Sequence, residues 1–319
     1  MCYSAQIWQD YRKYTRLYGA SLAIEDFVSL YWHRQQGGKA ATARAMDAAF
    51  ASPGPGTDGR IATALAQANR VQANGLEQEL FALRRRLADA ERSLQVRTTV
   101  KASESRRIAT AKITRALERL DELRGGTLVD SDSRIYPGHF APVMVWQQGR
   151  RVLRPMRYQC RPAGKPAAWD RKYPGTYNAR RDNLQGYWKD LFGFSHGVVA
   201  MQAFYENVSV HRSEGRELAA GESERNTVLE FRPRDAGVML VACLWSHWRG
   251  ADGEELLSFA AITDDPPPEV AAAGHDRCVI PIKPANLDAW LDPDPRDLAA
   301  QQGILDDRER PYYEHRKAA

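Results

Sequence analysis

Hydrophobic residues recur at alternating spacings of four and three between residues 60 and 124, which is the pattern of a coiled coil. The first run is Leu76, Leu80, Leu83, Leu87, Ala90 and Leu94, and the second is Ala109, Ile113, Ala116, Leu120 and Leu123. The stretch between them, VRTTVKASES, is rich in β-branched and small polar residues. The spacing predicts an antiparallel helical hairpin over 60–124, with this stretch at its tip and the glycine pair at 125–126 ending its second arm.

The pattern changes to short apolar runs between about Leu128 and Leu291. Examples are APVMVW, GVVAMQAFYENVSV, GVMLVACLW and LLSFAAIT, and turn-forming residues separate them. Such runs are typical of strands in an antiparallel sheet. The chain is therefore predicted to be an α+β protein. Its mainly antiparallel β-sheet core would be a partly closed barrel or a sandwich, with flanking helices and the inserted coiled-coil hairpin.

The remaining segments are assigned by their composition. Residues 1–35 mix aromatic and charged residues and are predicted to form one or two short helices that belong, with 128–291, to a single core. Residues 36–59 are small, contain glycine and proline, and are predicted to be a linker. The charged tail, 292–319, is expected to dock loosely or to fray.

The charge of the chain is concentrated in the predicted hairpin. The whole sequence carries a formal net charge of +5, whereas residues 60–124 hold 14 Lys/Arg and 8 Asp/Glu, a net +6. A concentrated basic surface attracts polyanions such as nucleic acid, because binding releases counterions. A solvated helix face that needs no partner would show the same charge. Three interpretations of the hairpin remain open. Its heptad seams could pack on each other, they could pair with a second chain, or the basic outer face could extend the DNA-binding surface. The first is favoured.

Cysteine usage and hydropathy bear on the compartment. The four cysteines, Cys2, Cys160, Cys243 and Cys278, lack the spacing of a metal site or a disulfide scaffold. No basic-then-apolar leader begins the chain, and the longest apolar stretch is too short to span a bilayer. These features predict a cytoplasmic protein with reduced thiols, no membrane segment, no metal and no cofactor.

Three short strings in the β-rich region carry candidate chemistry: YNARRDNL at 177–184, AFYENV at 203–208 and GHDRCVIPI at 274–282. Glu206 follows an apolar run, where a half-buried carboxylate could act as a general acid, or it is an exposed glutamate at a strand end. His275 could shuttle protons near neutral pH or could be a capping or surface residue. Asn178 and Arg180 could hold a phosphate or could cap a turn.

The order of these strings behind an N-terminal Met-Cys resembles the SOS response-associated peptidase (SRAP) family. The resemblance covers residues 1 to about 35 and 130 to about 291, and leaves the hairpin as an insertion. Proteins of this family form covalent links to abasic sites in single-stranded DNA. The resemblance therefore implies abasic single-stranded DNA as the partner, cysteine peptidase or hydrolase activity, DNA–protein cross-linking and a lyase activity. When bound to DNA, the protein would be associated with the nucleoid.

The resemblance implies a role for each matching residue. Cys2 matches the catalytic cysteine, which becomes residue one when Met1 is removed, by self-processing or by an aminopeptidase. Asn178 matches the asparagine of the N-A-R string, Glu206 the glutamate of G-F-Y-E-W and His275 the histidine of H-x-R-M-P. Three arginines would bind DNA: Arg180, Arg181 and Arg277.

The sequence also departs from the family pattern. Tyr3 and Ser4 follow Cys2 where the family has Gly-Arg, and MRYQCRP at 156–162 replaces W-G-L-I-P. Asn207 replaces the tryptophan after the glutamate, and Cys278-Val279 replaces Met-Pro. The chemical groups of the site are retained, but indole rings on which DNA bases could stack are lost.

Two other functions remain open on the residues alone. An N-terminal-nucleophile hydrolase would use Cys2 with its own α-amine as base to cut amide bonds. A non-enzymatic coiled-coil scaffold that binds nucleic acid would retain Met1, and its hairpin could mediate oligomerisation.

Overall fold

The fold was analysed on a computed structural model, which describes residues 4–8, 10–51 and 59–318. The α-helices in this part of the chain are α1 (Tyr11–Tyr18), α2 (Ile24–Gln35), α3 (Arg44–Ala51), α4 (Arg60–Val96), α5 (Val100–Leu123), α6 (Trp169–Lys172), α7 (Val210–Ser213), α8 (Pro268–Ala272), α9 (Leu287–Leu291) and α10 (Leu298–Asp306). The strands are β1 (Ser4–Ile7), β2 (Ser21–Leu22), β3 (Ala41–Thr42), β4 (Arg134–Ile135), β5 (His139–Gln147), β6 (Arg150–Tyr158), β7 (Asn178–Arg180), β8 (His196–Ser209), β9 (Asn226–Pro233), β10 (Met239–Arg249), β11 (Glu255–Asp264), β12 (Cys278–Val279) and β13 (Tyr313–Lys317).

Five strands close into a mixed barrel, in the order β5, β8, β10, β11, β6 and back to β5. Neighbours in this ring are antiparallel except β6 and β11, which run parallel and pair Arg157 with Ser258. Apolar residues of the ring, such as Val198 and Ile262, are fully buried. Burial of this apolar surface is the main favourable term for folding. The predicted α+β class is confirmed, and the sheet takes the form of a barrel.

Strand β8 extends beyond the barrel, and its second half pairs with strands outside the ring. Residues 196–201 pair with β10, whereas 201–205 pair with β1 and 204–209 with β9. Strand β13 then adds to the outer edge of β9. As a result, the end of β8 that holds Glu206 lies outside the ring and is flanked by β1 and β9.

The end of β11 is similarly extended, by β7 and β12. Thr263 pairs with Arg180 of β7 and also with Val279 of β12, so it lies between the two short strands. Asn178 begins β7 opposite Ala261. Strand β11 therefore brings the 178–180 and 275–279 segments to the same end of the sheet.

The chain divides into two compact units, one comprising 1–27, 40–49 and 130–319 and the other 28–39 and 50–129. The barrel belongs to the first unit. The boundaries differ from the predicted ones, because 28–39 groups with the hairpin. Within the second unit, Tyr31 contacts Phe50 edge-on, with ring centroids 6.2 Å apart, and Arg34 bonds to Asn69.

Helices α4 and α5 form the predicted hairpin. Leu80, Ala116 and Leu120 form a buried cluster, against which Leu76 and Ile113 pack. The seams therefore pack against each other within the chain. The tip is shorter than predicted: only residues 97–99 lie outside the helices, and Thr99 caps α5 by accepting the Ala102 N–H at 3.1 Å. This cap starts α5 within the stretch that was assigned to the tip.

Two composition-based assignments are corrected by the structure. The predicted linker at 36–59 contains β3, which pairs with β5, and helix α3. The tail that was expected to fray forms α10 and β13, and all five β13 residues pair with β9. Tyr313 is buried and contacts Phe204 edge-on, with ring centroids 5.2 Å apart. One well-placed aromatic residue thus anchors a segment that is otherwise charged.

Candidate functional site

A buried carboxylate–imidazole pair lies at the end of β8. The Glu206 Oε2 atom is 3.0 Å from the Nε2 atom of His275, and their side chains are 0% and 6% exposed. A buried carboxylate is costly unless hydrogen bonds or an opposite charge compensate for its lost hydration. The imidazole provides that partner. A carboxylate and an imidazole in direct contact can pass a proton to or from a bound substrate.

The backbone of Arg277 orients the His275 ring. Its carbonyl oxygen lies 3.0 Å from Nδ1, and its N–H donates to the same nitrogen at 3.3 Å. Nδ1 thus faces both an acceptor and a donor, so the ring is held in place in either tautomer. Nε2 remains directed at Glu206 in both cases.

Gly274 allows His275 to approach β8. Its φ is +92°, and a Cβ atom there would lie 2.8 Å from Cβ of Arg212 and 2.9 Å from Cγ1 of Val208. Real Cβ atoms do not approach other heavy atoms so closely, and L-residues with side chains rarely adopt this φ. The glycine in the GHDR string is therefore required by the close packing of the His275 loop against the end of β8.

Asn178 offers unsatisfied hydrogen-bonding groups. The residue is 7% exposed, and neither its side-chain nitrogen nor its oxygen has a hydrogen-bond partner among the residues that the structure describes. A buried amide without partners costs about 1–3 kcal/mol. Such an amide is expected where a ligand supplies the missing hydrogen bonds.

Thr263 is a polar residue that sequence analysis did not single out. It is 1% exposed, and its hydroxyl has no hydrogen-bond partner within the described ranges. The pairing of β11 with β7 and β12 places it between Arg180 and Val279. A threonine inside an apolar strand is ordinary, so no sequence signal distinguished it.

The three predicted DNA-binding arginines differ in their surroundings. Arg180 is 44% exposed and forms a two-pronged pair with Asp182, with Nε and Nη2 contacts of 3.0 and 2.8 Å. Arg277 is less exposed, and its Nε lies 3.8 Å from Asp276.

Arg181, in contrast, is engaged within the fold. It pairs with Asp264 at 3.2 Å and with Asp306 of α10 at 2.6 Å. Its guanidinium thus ties the C-terminal helix to the end of β11, which is a structural role that the sequence did not indicate.

Cys2 lies outside the described residues. The first described residue, Ser4, is fully buried and pairs with Tyr205, the neighbour of Glu206. Its hydroxyl accepts a hydrogen bond from Nε of Arg134 at 2.9 Å, and the Arg134 guanidinium lies 3.7 Å from the centroid of the Tyr205 ring. These contacts hold β1 beside the end of β8.

The other three cysteines are buried. Burial raises the pKa of Cys160 to about 12 and that of Cys278 to about 12, and it raises the pKa of Cys243 well above its ordinary value. Their thiols therefore stay protonated at neutral pH and are poor nucleophiles.

A sequence profile described as SOS response associated peptidase (SRAP) matches residues 97–317, more than half of the chain. The chain belongs to the SRAP family. Asn178, Glu206 and His275 all lie within the segment that matches the SRAP profile. That segment begins inside the hairpin and includes α5, whereas α4 and Cys2 precede it.

Three solved structures are among those similar to this SRAP protein. A protein from Bordetella bronchiseptica has 18% sequence identity and a TM-score of 0.46, covering 59% of this chain and 87% of its own. A protein from Bacteroides thetaiotaomicron has 13% identity and a TM-score of 0.44, covering 58% and 77%. A phage-related protein from Bordetella bronchiseptica has 20% identity and a TM-score of 0.43, covering 58% and 80%. A comparison with curated proteins finds no match.

Two further properties concern the described part of this SRAP chain. No group of three or more His, Cys, Asp or Glu side chains there is arranged to hold a metal ion. None of the helices in the same ranges combines the length and the apolar character needed to cross a bilayer.

Proposed function

We propose that this SRAP protein captures abasic sites in single-stranded DNA by forming a thiazolidine on the α-amine and thiol of Cys2. The observation that carries the proposal is the buried Glu206–His275 pair, which lies at the end of β8 beside the strand that begins the described chain. Family membership supports the assignment, and the family name describes a peptidase.

The position of β1 supports a role for Cys2 at this pair. Ser4, two residues after Cys2 in the sequence, is opposite Tyr205, which immediately precedes Glu206. The proposal requires that the mature N-terminus reaches the pair from the start of β1.

The chemistry requires cysteine at the mature N-terminus. Without Met1, the residue carries an α-amine and a thiol, which ordinarily titrate at about 7.7–8.0 and about 8.5, so reactive fractions of both exist near neutral pH. The amine adds to the C1′ aldehyde of the open sugar, and the carbinolamine loses water to give a Schiff base. The thiolate then adds to the same carbon and the nitrogen takes up a proton, which closes a five-membered ring. Aldehyde and aminothiol thus give thiazolidine and one water, with no redox change.

Glu206 and His275 would move the protons of these steps. The protonated member of the pair would donate to the sugar ring oxygen during ring opening and to the departing hydroxyl of the carbinolamine. The other member would accept the proton that the amine loses. The same proton transfers in reverse, with one water added back, would release the DNA by hydrolysis. A lyase activity would instead require β-elimination from the Schiff base, in which a base removes a C2′ proton and the 3′-phosphate departs.

Asn178, Arg180 and Arg277 would bind the DNA around the lesion. The unpartnered amide of Asn178 would hydrogen-bond to the sugar or to the N-terminal amine. Arg180, which is exposed and paired with the neighbouring Asp182, would exchange that carboxylate for a backbone phosphate. Arg277 would contact a second phosphate, because it follows His275 at the edge of the same loop.

The direct test is a denaturing gel after incubation with single-stranded DNA that contains one abasic site. The unmodified protein should give a slowly migrating covalent band, and Cys2→Ala should give none. Cys2→Ser should form a Schiff base that borohydride traps but that heat reverses. Cys278→Ala is the control, because it removes a buried thiol and should leave the band intact. A persistent band with Cys2→Ala would refute the aminothiol mechanism.

Mass spectrometry of the purified protein separates this proposal from its rivals. Loss of Met1 is required by the chemistry, and its retention in Glu206→Gln would indicate self-processing by the site. Retained Met1 in the unmodified protein would support a binding scaffold instead. Hydrolysis of amides without a DNA adduct would support an N-terminal-nucleophile hydrolase, which the family name also allows.

The hairpin would supply a second contact to nucleic acid. Its positive charge lies in the half nearest the tip, where 82–115 holds ten Lys/Arg and three Asp/Glu, whereas the rest of 60–124 holds four and five. Seven of these cations are exposed and form no ion pair with a described residue: Arg84, Arg85, Arg97, Lys101, Arg106, Lys112 and Arg115. A groove of about 610 Å³ near the tip is lined by three cations, Arg85, Arg86 and Lys101, by one carboxylate, Asp89, and by serine and threonine hydroxyls. This combination suits backbone phosphates, which bind cations and hydroxyl donors independently of sequence.

A further inference from the structure

An aromatic cluster with adjacent cations lies on the segments that flank β7 in the sequence. Trp169 and Tyr173 have ring centroids 4.1 Å apart, and Nε1 of Trp169 donates a hydrogen bond to the Tyr187 hydroxyl at 3.0 Å. Tyr173 and Tyr187 are 39% and 40% exposed. We refer to Trp169, Tyr173 and Tyr187 as the aromatic platform. Its rings form a connected surface that remains open to solvent.

The platform is held in place from beneath. Trp188, which is 4% exposed, contacts Tyr187 edge-on with ring centroids 4.9 Å apart. Asp170, next to Trp169, pairs with Arg157 at 2.8 Å and with Arg161 at 2.5 Å. Because these anchors fix the backbone on both sides of the platform, little conformational entropy would be lost when a flat ligand stacks on it.

Exposed cations lie at the platform and on the segments that carry it. The Lys165 ammonium lies 4.9 Å from the centroid of the Trp169 ring, and the Lys172 ammonium lies 5.4 Å from that of Tyr173. Arg171 and Lys189 are also exposed, and none of the four forms an ion pair with a described residue. The nearby Asp170 is already neutralised by two arginines. The surface is therefore aromatic and positively charged, which suits a ligand with flat rings and a negative backbone.

We propose that the aromatic platform binds unpaired bases of single-stranded DNA beside the capture site, with Lys165 and Lys172 on the backbone phosphates. Single-stranded nucleic acid offers both required features, since its bases stack on aromatic side chains and its phosphates bind cations. A duplex has its bases stacked within the helix and would use only the cations. The proposal rests on the proposed function for its ligand, and it assigns stacking to rings that stand outside the family's tryptophan positions.

Strand β11 contacts both the segments of the capture site and the segment that leads into the platform. At one end, Asp264 pairs with Cys278, three residues after His275, and at Ala261 the strand pairs with Asn178. Farther along, the Ser258 hydroxyl accepts the backbone N–H of Arg161, eight residues before Trp169. The length of β11 between Asp264 and Ser258 is about 20 Å, since each residue of a strand spans about 3.3 Å.

The test is binding of an undamaged, fluorescently labelled 20-nucleotide single strand to the full chain, measured by anisotropy. Tyr173→Ala and Tyr187→Ala should each weaken binding by about 5- to 100-fold. Tyr187→Phe keeps the ring and should bind nearly as well as the unmodified protein. Lys165→Gln combined with Lys172→Gln should lower the slope of log K against log salt by about 0.7 per lost contact.

Tyr312→Ala is the matched control. Tyr312 is 50% exposed with Arg234 positioned 4.1 Å from its ring centroid, yet it lies outside the platform, and its loss should leave binding unchanged. The proposal would be overturned if Tyr173→Ala and Tyr187→Ala bound the single strand as tightly as the unmodified protein does. It would also be overturned if these two variants lost as much affinity for a duplex as for the single strand. Covalent capture is measured separately, with abasic DNA at saturating concentration. A failure of capture with intact single-strand binding would therefore count against the proposed function alone. Intact capture with no effect of the platform variants on single-strand binding would count against the platform alone.

Discussion

At the scale of single residues, the sequence indicated the candidate site residues but not the contacts that hold them in place. Glu206 and His275 were selected by their strings, and the structure brings them to 3.0 Å although they are far apart in the chain. The structural role of Arg181 and the buried hydroxyl of Thr263 depend on residues distant in sequence, so no local pattern could reveal them. Gly274 belonged to a string chosen for its histidine, yet it is the glycine that allows the histidine to approach.

Gly274→Ala should destabilise the protein and slow covalent capture. The added Cβ would contact Val208 and Arg212 at under 3 Å, and φ is +92°, so strain and displacement of the His275 loop should cost about 2–4 kcal/mol in the free energy of unfolding. Urea unfolding and the capture rate at saturating DNA measure the two effects.

Gly253→Ala is the control for backbone strain alone. Its φ is +85°, and a Cβ there would meet nothing within 4 Å. It should cost about 1 kcal/mol and leave the capture rate unchanged. Equal rates in both variants would show that close packing at 274 does not position His275.

At the scale of elements, long repeating patterns were predictable and short pairings were not. The hairpin follows from eleven seam positions that repeat locally, and the seams pack as the spacing requires. The predicted tip was too long, because Thr99 caps α5 within a stretch whose residues have only modest helix propensity. The two-residue strand β3 and the tail strand β13 form because they pair with strands that are distant in the sequence. The composition of a segment does not reveal such tertiary pairing.

The hairpin should contribute to the salt dependence of nucleic-acid binding. A variant with Arg84, Arg85, Lys101 and Arg106 changed to Gln loses four exposed cations of the half nearest the tip. Each lost phosphate contact should lower the slope of log K against log salt by about 0.7 to 0.9, for single strands and duplexes alike. Anisotropy titrations between 50 and about 200 mM salt give the slope.

A control variant changes cations near the base of the hairpin, with Arg119→Gln and Arg124→Gln. Both residues already pair with acidic neighbours, Glu122 at 2.8 Å and Glu77 at 3.4 Å. Their replacement should leave the slope almost unchanged. If the variant with four replacements keeps the full slope, the hairpin has no part in DNA binding.

At the scale of the whole molecule, the α+β class was predictable, and a partly closed barrel was one of its two predicted forms, but the choice between barrel and sandwich was not. Alternating apolar runs indicate strands, but the ring closes through the pairing of β6 with β11, about a hundred residues apart in the sequence. Strand pairing at such separation depends on the complete packing of the core rather than on local propensity. The same packing buries three of the four thiols and removes them from chemistry.

The stability of the molecule should fall at alkaline pH because of these buried thiols. Burial raises the folded-state pKa of Cys160 and of Cys278 to about 12, well above that of an exposed thiol. The resulting contribution is complete below pH 9 and is lost as the pH rises from 9 towards 12, since the unfolded chain ionises first. Urea midpoints at pH 8 and pH 11 should therefore differ, and the decrease should be smaller in a Cys160→Ala, Cys278→Ala double variant. An identical decrease would assign the effect to other groups.

The ion pair between Arg44 and Asp132 has a consequence for how the hairpin is carried. Both residues belong to the barrel unit, Arg44 before the hairpin in the sequence and Asp132 after it. Their side chains are 2.9 Å apart and largely shielded from solvent. The barrel therefore meets a fixed pair of ends, whatever lies between them. Doubling the length of a flexible excursion between fixed ends costs only about 0.6 kcal/mol. The segment between these two residues can therefore differ in length at little cost in free energy to the barrel unit.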